Sequence, residues 1–266
     1  MVGMVLRYLS LWVSFFNNSL TRDMEFKANF IGGLIVDIIF YSIQFFFFSI
    51  IYSYVDALGV FTREDVMIFL VITFLADTFY MFFFSGNLFN LNRWMVRGDL
   101  DYFLLKPVES QFMVSFRYVK SYALISIVIL VTMLTTLILN YSQPIGILNV
   151  VSFIISFLMG TVLWYGVDFI ISSSCFWFKN FSVSGWLSHE IIKFSTRPDS
   201  IYTGILRKML FSIVPMIFIA SIPTRTLLYG PNIQYLLGQF LMAMIFLFLT
   251  RIIWKRGLLR YESASS

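Results

Sequence analysis

Six apolar stretches, at about residues 29–54, 66–92, 115–140, 148–178, 202–222 and 233–254, constrain this chain more than any other feature. Each is long enough for a helix to cross a bilayer core of roughly 30 Å, which takes about 20 residues. In that solvent backbone polar groups must be satisfied internally, so helices are the economical answer. Charged residues make up 12% of the chain, against about 25% in soluble domains, too few to coat a water-soluble surface. The reading is an all-α membrane protein with six transmembrane helices, the fifth being the least regular.

Short loops rich in Lys and Arg stay on the cytoplasmic side. With both termini cytoplasmic, the inner segments carry Arg7, Arg22 and Lys27, then Arg93, Arg97, Lys106, Arg117 and Lys120. They continue with Lys179, Lys193, Arg197, Arg207 and Lys208, and end with Arg251, Lys255, Arg256 and Arg260. Only Arg63 and Arg225 of the 19 basic residues are left outside. The pI near 9.3 then follows from this bias and from attraction to anionic headgroups of the lipid bilayer, and no nucleic-acid partner is expected. One Cys and one His cannot assemble a Cys/His metal site, so no metal is expected. Their scarcity also argues against most membrane-embedded enzymes.

Residues 1–25 are predicted to form an amphipathic interfacial helix, because Arg7, Ser10, Ser14, Asn17 and Thr21 recur at helical spacing opposite Tyr8, Trp12 and Phe15. An uncleaved signal-like segment or a short extra span is the alternative. Residues 26–258 then form the six-span domain and 259–266 a cytoplasmic tail.

Between the second and third spans lies Arg93-Trp-Met-Val-Arg-Gly-Asp-Leu-Asp-Tyr-Phe-Leu-Leu-Lys-Pro107, a charged island stopped by proline. Gly98 breaks the preceding helix, Asp99 is a suitable N-cap, and Pro107 ends the element. On the short helix, Leu100, Phe103 and Leu104 share a face while Asp101, Lys106 and Glu109 supply charge around it. An apolar knob with a charged rim suits docking into a groove on a soluble partner; an interfacial loop helix without a partner is the alternative.

Three acids fall within the spans: Asp37, Asp77 and Asp168. At mid-membrane each costs about 2.5–3.5 kcal/mol, so such residues usually face the bundle interior or a cavity. Helical spacing gives Asp37 the company of Tyr41 and Gln44, Asp77 that of Tyr80, Phe84 and Asn87, and Asp168 that of Thr161, Trp164 and Ser172. Carboxylates flanked by aromatics suit an organic cation. Hydrogen bonding between helices explains the same pattern equally well. Ser156 and Gly160 add a small-xxx-small packing pair on the fourth span, and His189 reads as a headgroup-level polar residue. Pro215, Pro223 and Pro231 make a straight fifth span improbable. Roughly 216–231 therefore reads as re-entrant half-helices between spans 5 and 6, with a kinked span and an outer loop as the alternative.

The phrase from Arg97 to Pro107 resembles the G-x-L-D-x-x-L-x-K-P pattern of one branch of type-2 ABC exporter membrane subunits. Phe194-Ser-Thr-Arg-Pro-Asp-Ser-Ile-Tyr202 and Ile213-Val-Pro-Met-Ile-Phe-Ile-Ala-Ser-Ile-Pro223 are similar to that branch's second motif. The resemblance spans essentially the whole chain. It implies a non-catalytic permease subunit in a cell membrane, bacterial inner membrane included, that exports a substrate such as an organic cation or drug. It implies that Arg97, Gly98, Asp99, Leu100, Asp101, Phe103, Leu104, Lys106 and Pro107 form the coupling helix against an ABC ATPase subunit. It also implies a second permease, identical or homologous. No Gly-x-x-x-x-Gly-Lys-Ser/Thr occurs in the chain, so ATP and its Mg would sit on the partner ATPase. A channel-like or scaffold membrane protein without ATP coupling is the other reading of the same residues.

Overall fold

The computed structural model describes residues 2–55, 57–58, 60–178 and 183–262; Lys179 and tail residues 263–266 lie outside the described residues. The order is α1 (Val2–Glu25), α2 (Lys27–Ile51), a β1–β2 hairpin (Ala57–Leu58, Phe61–Thr62) and the long helix α3 (Arg63–Arg97). Then come α4 (Asp99–Leu104), α5 (Ser110–Phe116), α6 (Ala123–Leu139) and α7 (Ile147–Ser173). The chain finishes with α8 (Ser184–Ile192), α9 (Gly204–Ser212), α10 (Ile217–Tyr229) and α11 (Ile233–Leu258).

Helices α2, α3, α7 and α11 are long and apolar enough to cross a membrane unaided. Helix α6 has 17 residues, somewhat under the usual requirement of about 20, because the chain unwinds between Phe116 and Ala123. The central helix is α3, most of its apolar run buried, and α2 lies against it with most of its side chains bare. The start of α3 carries a capping box, in which Thr62 and Asp65 satisfy each other's backbone N–H at 3.4 and 2.8 Å.

The fifth predicted span is not one straight helix. Residues 204–229 form the arms α9 and α10, bent by 90° at Ile213–Met216, where Pro215 denies the chain a donor. The segment 216–231 is also not two half-helices: α10 continues through Pro223, and its partner arm is α9. Contacts along α7 fix the path. Ser156 meets Gln239, Gly166 meets Phe246 and Phe176 meets Gly257, so α11 runs parallel to α7. Two parallel neighbours require the intervening chain to return, and here the return is made in pieces. Helix α8 packs on the far end of α7, single helical turns carry the chain to Asp199, and α10 runs back along the first half of α7.

This path corrects the assignment of Arg207 to the inner segments. Arg207 and Arg225 bond the same Asp199 carboxylate, and the Arg225 guanidinium lies 5.1 Å from the ring of Phe61 beside the hairpin. Both therefore sit toward the hairpin end. The Ser156 and Gly160 packing signal is realised: a Cβ on Gly160 would lie 2.9 Å from the Phe218 carbonyl, and Ser156 donates to Gln239 at 2.7 Å. Gln239 in turn donates to the Ser156 and Phe218 carbonyls, both at 2.8 Å, which ties three helices through one amide.

Candidate functional site

Two places gather the residues that the sequence singles out. The first is the loop 97–110 at the end of the bundle that carries Arg93, Arg97 and Lys106, here called the basic end. Gly98 takes φ +77°, in the left-handed region, and this turn ends α3 and starts α4 directly. The N-cap is thus Gly98, with Asp99 the first helical residue.

Helix α4 has the predicted apolar face, but that face points into its own chain. Leu100 and Phe103 are 0% and 5% exposed. Phe103 meets Trp94 edge-on at 4.9 Å, with the Arg117 guanidinium 5.3 Å over its ring. The surrounding core includes Met113, Val114 and Phe169, together with Trp254 from α11. Leu104 is partly buried beside them, as are Gly98, Asp99 and Asp101. What faces outward is a different set: Tyr102 and Leu105, 69% and 81% exposed, with Val96, Arg97, Lys106 and Pro107 around them. Spacing alone groups Leu100, Phe103 and Leu104 on one face; it does not say which side the bundle occupies.

The loop is also held at its far side. Arg7 of α1 donates to the Pro107 carbonyl at 3.0 Å, and the Glu109 N–H donates to the Tyr8 hydroxyl at 3.3 Å. From α11, Trp254 donates to Ser110 at 3.0 Å, and Arg251 forms an ion pair with Glu109. Tyr261 closes over the acidic side of α4, where burial, with the Asp101 and Asp99 carboxylates beside it, pushes its hydroxyl up to about 12. The loop is therefore fixed at once to the first helix and to the last.

The second place lies one level deeper, where α2, α3 and the 117–122 segment meet. Asp37 and Asp77 share an electrostatic neighbourhood with Lys120, Tyr41 and Tyr122. Ser126 donates to Asp37 at 3.0 Å, and Tyr41 bonds Thr78 at 2.6 Å while stacking on Phe74. Asp77 keeps part of its surface and makes no hydrogen bond among the described residues. Gln44 is partly buried on α2 without a side-chain hydrogen bond among the described residues.

Just below, α3 widens into a π-helical turn at Met81–Ser85, a form that recurs at functional positions. The Phe82 carbonyl accepts the Lys120 N–H at 3.4 Å, Asn87 bonds both backbone groups of Tyr118 at 2.8 Å, and Asp23 accepts from Ser121. These bonds hold the unwound 117–122 segment and aim Lys120 toward the two acids. The sequence reading missed Lys120 here and placed it among the loop cations. Its position at the edge of an apolar run, where a long stem can reach inward, is the only available signal.

Asp168 does not join this pair. Tyr80 donates to it, Ser172 donates at 3.2 Å, and Tyr80 stacks on Trp164 at 4.7 Å. That carboxylate accepts one bond across to α3 and one within α7. Asn87 is likewise a backbone clamp, and Phe84 packs against Phe116 and Tyr165.

Residues 38–265 match the model of a family described as "ABC-2 family transporter protein". No curated protein and no solved structure matches the chain.

Proposed function

The chain belongs to the ABC-2 family of transporter proteins, a family of non-catalytic membrane components, and from that premise we propose that it couples ATP hydrolysis on a separate nucleotide-binding subunit to export. The observation that carries this reading is the 97–110 loop: an exposed patch of Tyr102, Leu105, Arg97 and Lys106 on a base bonded to α1 and α11. A push on that patch reaches two helices without a flexible link between. A channel or scaffold has no use for such a connection. The working unit on this reading is two permeases and two ATPases, with ATP and Mg on the partner chains, in a cell membrane such as the bacterial inner membrane. The basic end and both termini face the cytoplasm.

The Asp37, Asp77 and Lys120 group is the substrate locus in this account. Two carboxylates against one ammonium leave a negative excess, with Tyr41 and Tyr122 rings nearby, which fits a cationic group on an organic molecule. Asp77→Asn is expected to lower export of a cationic drug roughly tenfold, since hydrogen bonds to charged groups contribute about 1.5–3 kcal/mol. Thermal stability should hardly change. Asp168→Asn should do the reverse, lowering the melting temperature in detergent while sparing transport. The check is efflux from inverted vesicles beside a melting curve for each purified variant. Unchanged efflux in Asp77→Asn would remove the substrate role.

A further inference from the structure

At the basic end a cavity of about 360 Å³ opens between α1, the last turns of α3 and the 117–122 segment. Its walls include Arg22, Arg93, Lys120, Asn90, Trp94 and Tyr118, and no carboxylate lines it. The one nearby counter-charge is Asp23, which pairs with Arg22 at 3.1 Å and is also occupied by Ser121 at 2.7 Å. Arg93 has no ion pair or hydrogen bond among the described residues, and Lys120 has no acid at ion-pair distance among them, only the more distant field of Asp37 and Asp77. The Arg22 guanidinium stands 5.6 Å from the Tyr118 ring, which fixes its direction. With Asp23 shared between Arg22 and Ser121, and Lys120 facing Asp37 and Asp77 from the inner wall, Arg93 above all leaves positive charge in this concave space that an anion would relieve.

The depth of the cavity identifies the anion. Helix α1 packs Trp12, Phe15 and Phe16 onto the bundle, while Val5, Leu6, Leu9 and Val13 on its other side stay exposed. An amphipathic helix with a bare apolar side lies in the headgroup region of a bilayer. The cavity lies under the same helix, so its mouth meets headgroups. Basic pockets between membrane helices take phosphate headgroups by charge and by the geometry of guanidinium donors.

We propose that this cavity is a binding site for the phosphate of an anionic phospholipid, held by Arg22, Arg93 and Lys120 with Trp94 and Tyr118 as its walls. The site adjoins the substrate locus, with Lys120 between the two, and its occupancy would fix α1 against the arm that leads to the 97–110 loop. The proposal rests on the membrane location of the chain and not on the identity of its substrate.

Native mass spectrometry of the delipidated protein, titrated with phosphatidylglycerol, phosphatidylcholine or inorganic phosphate, tests it. The wild type should retain phosphatidylglycerol at least tenfold more tightly than phosphatidylcholine. Arg93→Gln and Arg22→Gln should each erase most of that preference, Arg93→Lys should keep much of it, and Arg256→Gln, outside the cavity, should leave it intact. Equal retention of the two lipids, or equal loss in Arg256→Gln and Arg93→Gln, would overturn the site. Displacement of phosphatidylglycerol by millimolar inorganic phosphate would assign the pocket to a soluble anion and overturn the lipid. A failure of any kind here leaves the transport reading to be judged on Asp77→Asn.

Discussion

Replacing Tyr102 and Leu105 together by Ala is expected to abolish transport-coupled ATP hydrolysis while the permease still inserts, folds and melts as the wild type does. Both side chains are exposed, Tyr102 on α4 and Leu105 at its C-cap, with Leu100 and Phe103 packed on the other side, so removing them opens no cavity. Interface anchors contribute about 2 kcal/mol or more each, and 2 kcal/mol is roughly thirtyfold in affinity. Loss of two anchors should therefore weaken the complex well beyond the concentrations at which it normally forms. Phe103→Ala gives the contrasting result. It removes a buried ring from beneath Trp94 and Arg117, which costs about 3–5 kcal/mol of stability, so activity and folded yield should fall together. The measurements are ATPase activity with and without permease, and fluorescence-detected size exclusion for fold. Equal loss of folded protein in both variants would mean that the outward face is structural after all.

Asp199→Asn should be the most destabilising polar substitution in the chain. Its carboxylate is 1% exposed and takes three bonds from Arg225, at 2.8, 2.9 and 3.0 Å, and one from Arg207 at 3.1 Å. It also fixes the composite return, since its own N–H donates to Ser221 of α10 at 3.1 Å. Removing one partner of a buried pair strands the other charge and costs about 3–5 kcal/mol, a large part of the roughly 5–15 kcal/mol that holds a typical domain together. Arg207 retains 43% of its side-chain surface, so Arg207→Gln should cost no more than about 1 kcal/mol. Adding Arg225→Gln to Asp199→Asn should recover part of the loss by removing the stranded charge. Thermal unfolding in detergent separates the four proteins. A harmless Asp199→Asn, or an Arg207→Gln equally harmful, would contradict this account of the return segment.

Most of the architecture could be read from local pattern, and the errors fall where distant residues decide. Helices α2, α3, α7 and α11 follow from apolar length, and Ser156 and Gly160 mark a packing point on α7 without saying that α10 and α11 fill it. The 202–222 run has the same composition as a span yet bends at Ile213–Met216. Pro215 signals that break locally, but the meeting of both arms at Asp199, through Arg207 and Arg225, joins residues up to 26 apart in sequence and has no local signal. Helical spacing correctly grouped Leu100, Phe103 and Leu104, but the seat that turns them inward includes Trp254, and no rule of local sequence connects the two. Lys120 was misplaced for a related reason. A π-helical turn in α3 and a clamp from Asn87 bring it to Asp37 and Asp77, and both are products of packing. The acids themselves were visible one by one; their division into a paired locus and a hydrogen-bonded Asp168 was not.

The central claim is that the outward face of α4 is the seat of an ATPase subunit. A photo-cross-linking amino acid placed at position 102, activated in membranes of the native host and followed by mass spectrometry of the adducts, tests it most directly. The account predicts a covalent adduct with a chain that carries a Walker motif, formed at position 102 and not at the lipid-facing position 39 of α2. Absence of any ATPase adduct, in membranes where another ABC complex cross-links as it should, would contradict the account and favour a channel or scaffold without ATP coupling.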